Sequence, residues 1–222
     1  MIPFHFYTRL NLVELLGRRA VNVRELLEGV RVVPGTSIYH HTHRFLQQHH
    51  YLSPEPPNDF AFWVTTVLQE ESLGERLAAI DTIRYAHLRD LRSRLVGVIE
   101  EYLQQQQTLR VAPPGEEFHF MDAVSFMLPT GQEVSTLAEF DAALTTAGVN
   151  SIAYHLLESR LRLEAEDNDF SRWLEKDMGE RDLAAAIRTL DPYTHTLKGL
   201  RRRVRQLVGR RLGSRSHAEA AA

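Results

Sequence analysis

The chain repeats itself, and that repetition limits what it can fold into more than any single motif does. Phe4-His5-Phe6 returns as Phe118-His119-Phe120 and Ser37-Ile38 as Ser151-Ile152, each 114 positions later. Asn58-Asp59-Phe60 with Trp63 returns as Asn168-Asp169-Phe170 with Trp173, now 110 positions later. Gly74-Glu75-Arg76 recurs as Gly179-Glu180-Arg181, and Tyr85 and His87 pair with Tyr193 and His195. An ordered series of this kind is the signature of a tandem duplication. The 222 residues then divide into a first module over 1–110, a linker at 111–115, a second module over 116–212 and a small, polar, disordered tail at 213–222.

Each module reads as α+β and mostly helical: a β-hairpin followed by three to four helices. Phe118 to Leu128 is rich in aromatic and aliphatic residues, Pro129-Thr130-Gly131 supplies a turn, and Gln132-Glu133-Val134 returns as a second strand. Thr136-Leu137-Ala138-Glu139 is a capping box, matched by Asn22 followed three later by Glu25. Ser37 and Ser151 are expected to cap a second helix. A third starts at Asp59 and Asp169, each aspartate expected to cap the exposed amides, and Phe60/Trp63 and Phe170/Trp173 form its apolar face, so Asn-Asp-Phe-x-x-Trp is read as a core element. A longer helical stretch from Gly74 breaks near Asp81, and Asp191-Pro192 breaks its counterpart.

Composition removes several classes of function. With no cysteine, disulfides, thiolate nucleophiles and cysteine–zinc sites are excluded. A formal charge of −3 argues for no general attraction to nucleic acid or membrane. No stretch approaches ~18 apolar residues and no basic-then-apolar leader opens the chain, so a cytoplasmic location is expected. The one charge imbalance is local. Seven arginines lie between Arg201 and Arg215, a run read as a solvated helix end rather than a nucleic-acid surface.

The duplication also sorts the eleven histidines. His5, His41 and His87 are matched by His119, His155 and His195, whereas His40, His43, His49, His50 and His217 are not. Two readings of the matched set compete. In one, His41 and His155 are buried rings hydrogen-bonded at the neighbouring Asn-Asp cap. In the other, His5, His41 and His87 with Asp59 hold zinc or iron, a donor set such metals accept. The unmatched set gives a further expectation. Tyr39, His40, His43 and His50, with Tyr51 and Glu55 of the stiff Ser53-Pro54-Glu55-Pro56-Pro57 loop, form a face that only the first module has. No glycine-rich phosphate loop, nucleophile elbow or compact His-Glu-x-x-His signature accompanies them.

The stretches Ser37-Ile38-Tyr39-His40-His41-Thr42-His43 and Tyr51-Leu52-Ser53-Pro54-Glu55-Pro56-Pro57-Asn58-Asp59-Phe60 resemble the family catalogued as domain of unknown function 5752. The second copy, with Tyr154-His155, Asn168-Asp169-Phe170 and Trp173, resembles its short repeat unit, and the likeness covers most of the chain. The resemblance implies no reaction, cofactor or site residue. The expectation is thus a binding or regulatory protein that recognises a protein or small-molecule partner through the diverged face of the first module. The alternative is a zinc- or iron-dependent hydrolase with Glu55 or Asp59 as general base. An assembly pairing modules across chains is compatible with either.

Overall fold

The computed structural model describes residues 2–48, 58–106, 108–159, 167–191 and 194–220. Two long strands, β1 (Phe4–Ala20) and β2 (Phe118–Val134), form one two-stranded antiparallel sheet. The helices among the described residues are α1 (Val23–Val32), α2 (Gly35–Gln48), α3 (Asp59–Thr66), α4 (Glu71–Ala78), α5 (Leu88–Gln105), α6 (Leu137–Thr146), α7 (Val149–Ala153), α8 (Asp169–Lys176), α9 (Arg181–Arg188) and α10 (Leu197–Ala220). A short 3-10 turn covers Thr82–Arg84, and a π-helical turn at Tyr154–Glu158 continues α7. The mostly helical α+β class expected from the sequence is the class observed.

Three local expectations change. The strands are not two local hairpins: Pro129-Thr130-Gly131 lies within β2, which runs on to Val134. Gly131 has φ +76° and Gly17, at the matching place in β1, has φ +70°, a conformation that serves a strand irregularity as readily as a turn. Ser37 and Ser151 are not caps. They sit inside the first turn of α2 and α7, which begin two residues earlier, and both are buried. The expected disordered tail is helical as far as Ala220.

The described residues form two compact units whose boundaries differ from the expected modules. One unit takes Asn11–Gln48 and the described part of Ser53–Ser125; the other takes the described parts of Met1–Leu10 and Phe126–Ala222. We call them the His41 unit and the His155 unit. Each therefore draws its aromatic strand pair from the opposite half of the sequence.

In the His41 unit, Phe118 and Phe120 of β2 join Leu26, Val30, Ile38, Phe60, Trp63, Leu77, Leu91 and Leu95 in one core. Asn22 caps α1 by accepting from the Glu25 amide at 3.0 Å, while the Glu25 carboxylate accepts from the Val21 amide at 3.0 Å. Asn58 caps α3 by accepting from the Ala61 amide at 2.8 Å and donates to the Leu77 carbonyl at 3.1 Å, which ties α3 to α4. Gly29 is required by packing: a Cβ there would lie 2.1 Å from the Phe120 ring.

In the His155 unit, Phe4 and Phe6 of β1 pack against Phe140 and Phe170, and Phe4 also meets Trp173, with ring centroids 5.4 to 6.1 Å apart. Thr136 and Glu139 complete a capping box on α6. Hydrogen bonds from the Ser135 and Thr136 amides hold the Glu139 carboxyl below the usual range. Asn168 caps α8 by accepting from the Ser171 amide at 2.9 Å. The indole N–H of Trp173 donates to the Ile2 carbonyl at 2.9 Å, as that of Trp63 donates to the Glu116 carbonyl at 2.7 Å in the other unit.

Candidate functional site

One histidine in each unit is fastened at both ring nitrogens. The first turn of α3 places Asp59 beside His41 of α2, with Nδ1 to Oδ2 at 2.9 Å. The His41 Nε2 accepts from the backbone amide of Met121 in β2 at 2.9 Å. In the His155 unit, Nδ1 of His155 lies 2.7 Å from Asp169 Oδ2, and Nε2 accepts from the Tyr7 amide of β1 at 2.9 Å. An amide can only donate, so each Nε2 supplies its lone pair and each Nδ1 carries the proton toward its carboxylate. Each imidazole is thereby a clasp between a helix cap and an outer amide of a strand. Both rings are buried, but Asp59 leaves 41% of its side chain exposed and Asp169 only 13%.

This geometry bears directly on metal binding. His40, His41 and Asp59 bring one ligand-type atom each within 4.8 Å of one another. A cation using His41 would have to displace the Met121 amide from Nε2 or the proton from Nδ1, so the donor set fits a resident zinc or iron poorly. The other expected ligands are not part of that group. His5 belongs to the His155 unit, where its Nδ1 lies 3.7 Å from Glu133, and His87 is exposed just before α5. His195 is half-buried and its Nδ1 lies 2.9 Å from Thr194 Oγ1.

The face expected to recognise a ligand is turned inward where it is described. Tyr39, His40 and His43 are buried, at 7%, 3% and 3% exposure. His43 stacks on Tyr39 with centroids 4.7 Å apart and rings 13° from parallel, and its Nδ1 lies 2.8 Å from Thr42 Oγ1. The helix places these positions toward the protein interior, where imidazoles take up roles that apolar side chains fill in the other unit. His50, Tyr51 and Glu55 lie outside the described residues.

A site the sequence reading missed lies in the His155 unit. A cavity of about 510 Å³ is lined by Phe4, Tyr7, Tyr154 and Trp173, with Arg172 and Lys176 of α8 and the carboxylates of Asp169 and Asp177 around it. Its indole, imidazole and Asp169 carboxylate are already engaged. Arg172 and Lys176 are exposed and make no ion pair among the described residues. The π-helical turn carrying Tyr154 and His155 forms part of its wall, and such turns recur at functional sites. On the inner side of that turn Glu158 pairs with Arg9, an ion pair largely out of water. The signal was legible. Positions 110 residues before Arg172 and Lys176 hold Phe62 and Thr66, so the repeat changes its charge there.

The arginine-rich helix is partly consumed by the fold. Arg201 donates to the Ala147 carbonyl at 2.6 Å, and Arg205 and Arg211 pair with Asp141 and Glu180. Those hydrogen-bonded carboxylates push both guanidinium groups further up. A run with three arginines bound inward has fewer cations for a phosphate backbone.

Known proteins place the chain without naming a reaction. No curated protein matches it. Among solved structures it is similar to OrfY from Thermoproteus tenax, at 33% identity and a TM-score of 0.80, over 94% of this chain and 95% of that one. Among the described residues no helix is long and apolar enough to cross a membrane. The model of the Family of unknown function (DUF5752) matches residues 1–209, and the chain belongs to that family.

Proposed function

We propose that the chain is a non-catalytic, cytoplasmic binding protein built on a duplicated module, and that its ligand is a small anionic molecule with a ring or apolar body. The observation that carries this reading is the cavity beside α8, where an aromatic lining meets two cations with no ion-pair partner among the described residues. Aromatic walls favour an apolar or ring-shaped body, and a guanidinium and an ammonium four residues apart favour an anionic group on it. Asp177 discriminates against ligands of higher negative charge, and Asp169 is held by His155. Catalysis is disfavoured by chemistry rather than by absence: both nitrogens of His41 and of His155 are spent on the fold. The duplication is supported by paired bonds in the two units, including the clasps, the Asn caps and the indole hydrogen bonds.

Calorimetric titration with AMP, adenosine and inorganic phosphate tests the reading. AMP is expected to bind with a Kd on the order of 10–100 µM and adenosine at least ~10-fold more weakly. Arg172→Ala with Lys176→Ala should lose that preference while the protein keeps its melting temperature. No binding by AMP or phosphate, or AMP binding unaltered in the double variant, would overturn it. A second reading, a metal-dependent hydrolase, rests only on the proximity of His40, His41 and Asp59 and requires His41 to give up one bond of its clasp. Elemental analysis giving about one zinc or iron per chain, lost in His40→Ala, would carry that reading instead.

A further inference from the structure

Helix α10 carries charge of one sign only. Between Leu197 and Ser214 it has seven basic residues and no acidic one. Its counterpart α5, 109 positions earlier, has three of each between Leu88 and Gln105. The inner sides of the two helices are alike. Arg92 donates to the Val33 carbonyl at the end of α1, as Arg201 donates to the Ala147 carbonyl at the end of α6. The outer side has diverged. Lys198, Arg202, Gln206 and Arg210 stand where α5 has Arg89, Ser93, Gly97 and Glu101.

These four positions fall within about 60° of the line opposite the buried Leu200, Val204 and Val208, and all four are exposed. Arg203 lies at the edge of this face, where its guanidinium donates to Gln206 Oε1 at 3.3 Å. Two of the remaining arginines are neutralised, Arg205 by Asp141 and Arg211 by Glu180. Lys198, Arg202, Arg203 and Arg210 make no ion pair among the described residues. Beyond Val208 no residue is buried as far as Ser214, so the helix runs on past the core of its unit.

The chemistry of this face selects its partner. No large apolar side chain is exposed on it, so it lacks the hydrophobic centre of a protein–protein interface. No aromatic residue occurs between Leu197 and Ser214, so single-stranded bases have nothing to stack on. What remains is a straight row of cations about 18 Å long, from Lys198 to Arg210. Such a row suits a regular array of phosphates, and a DNA major groove about 12 Å wide admits one α-helix. The corresponding groove of duplex RNA is too deep and narrow for side chains to read.

We propose that the outer face of α10 is a docking surface for the phosphate backbone of duplex DNA, bound without regard to base sequence. Lys198, Arg202, Arg203 and Arg210 supply the phosphate contacts. The arginines bound inward limit them to these four, so the affinity is modest and set by salt. The chain's formal charge of −3 opposes this little, because physiological salt screens exposed charges more than about 8 Å away.

Fluorescence anisotropy of the full chain with a labelled DNA duplex of about 20 base pairs tests this. At ~50 mM salt the Kd should be on the order of 10 µM, with a log–log slope against salt of about −3.5. A duplex of unrelated sequence should bind equally. Arg202→Glu with Arg210→Glu should weaken binding at least ~10-fold with an unchanged circular dichroism spectrum. Arg202→Gln with Arg210→Gln, the milder pair, should flatten the slope by about 2. Arg172→Ala with Lys176→Ala, at the cavity, should change neither quantity. No binding up to ~100 µM overturns the proposal, as does a slope unchanged in the glutamine variant. An RNA duplex bound as tightly, or DNA displaced by polyglutamate at equal charge concentration, would give the face a different partner and overturn it too.

Discussion

The two units solve one problem with the same parts and then diverge at one helix. In both, an Asn cap starts a short helix, the following Asp takes a histidine N–H, and the histidine takes a strand amide. In both, an indole carried by that helix donates to a backbone carbonyl. The outer faces then differ. Phe62 and Thr66 stand on α3, whereas Arg172 and Lys176 stand on α8 beside a cavity. Groups that hold the strand are shared; groups that meet solvent are not. His41 and His155 belong to the first class, so their recurrence is a signal about assembly more than about chemistry.

Truncating the indoles is the harshest way to break the comparison. Trp63→Ala and Trp173→Ala should each cost about 3–5 kcal/mol, because each loses a buried ring and leaves a carbonyl without its donor. Urea unfolding curves measure this. Equal losses support equivalent roles, and a Trp63→Ala protein that melts like wild type would remove Asn-Asp-Phe-x-x-Trp from the core.

The clasps sharpen it. His41→Ala and His155→Ala should cost about 2–4 kcal/mol each, from a cavity plus an orphaned strand amide. The loss at His155 should be the larger, since Asp169 is the more buried carboxylate and water reaches Asp59 more easily. The same unfolding curves decide the order, and a larger loss at His41 would contradict it.

A smaller difference concerns alkaline pH. Glu70 and Glu180 both stand just before a short helix, α4 and α9. Glu70 accepts from the Tyr102 hydroxyl at 2.5 Å, while Glu180 pairs with Arg211. Burial, then the hydrogen bond and charge of Glu70, push the Tyr102 hydroxyl up to about 12 from its ordinary 10.0. The folded state therefore holds this proton more tightly than the unfolded chain does. Its contribution is intact below pH 10 and is lost as pH rises through about 12. Absorbance at the phenolate band should find Tyr102 among the last tyrosines to ionise. Tyr102→Phe should remove the corresponding step from the dependence of stability on pH, and an unchanged profile would discount the Glu70 contact.

Much of this was legible before the fold was known, for identifiable reasons. Asn22 and Thr136 cap as their spacing suggests because a cap is a bond between residues three apart in sequence, whereas the third helix of each unit is capped by Asn58 and Asn168, one residue before the expected Asp59 and Asp169. The matched histidines pointed to the Asn-Asp caps because the repeat kept both together. The single long strands were not legible, since Gly131 with positive φ marks a turn or a strand irregularity equally well. Tyr39, His40 and His43 look like a recognition face in the sequence because the second copy has Tyr154 and Leu157 where the first has His40 and His43. The structure buries them by stacking and hydrogen bonding within α2.

By itself the sequence determined the inventory: helices with their caps, aromatic cores repeated in order, and a histidine kept beside each Asn-Asp cap. These rest on short-range bonds and on hydrophobic period, which are properties of a few adjacent turns. Only the tertiary structure decided which strand segment enters which core, that Phe4 and Phe6 pack beside Phe140 and Phe118 and Phe120 beside Phe60. Those choices depend on pairing between residues more than a hundred positions apart. No local pattern distinguishes a Phe-His-Phe strand that packs on its own module from one that packs on the other, because the buried area gained is the same chemistry in either place.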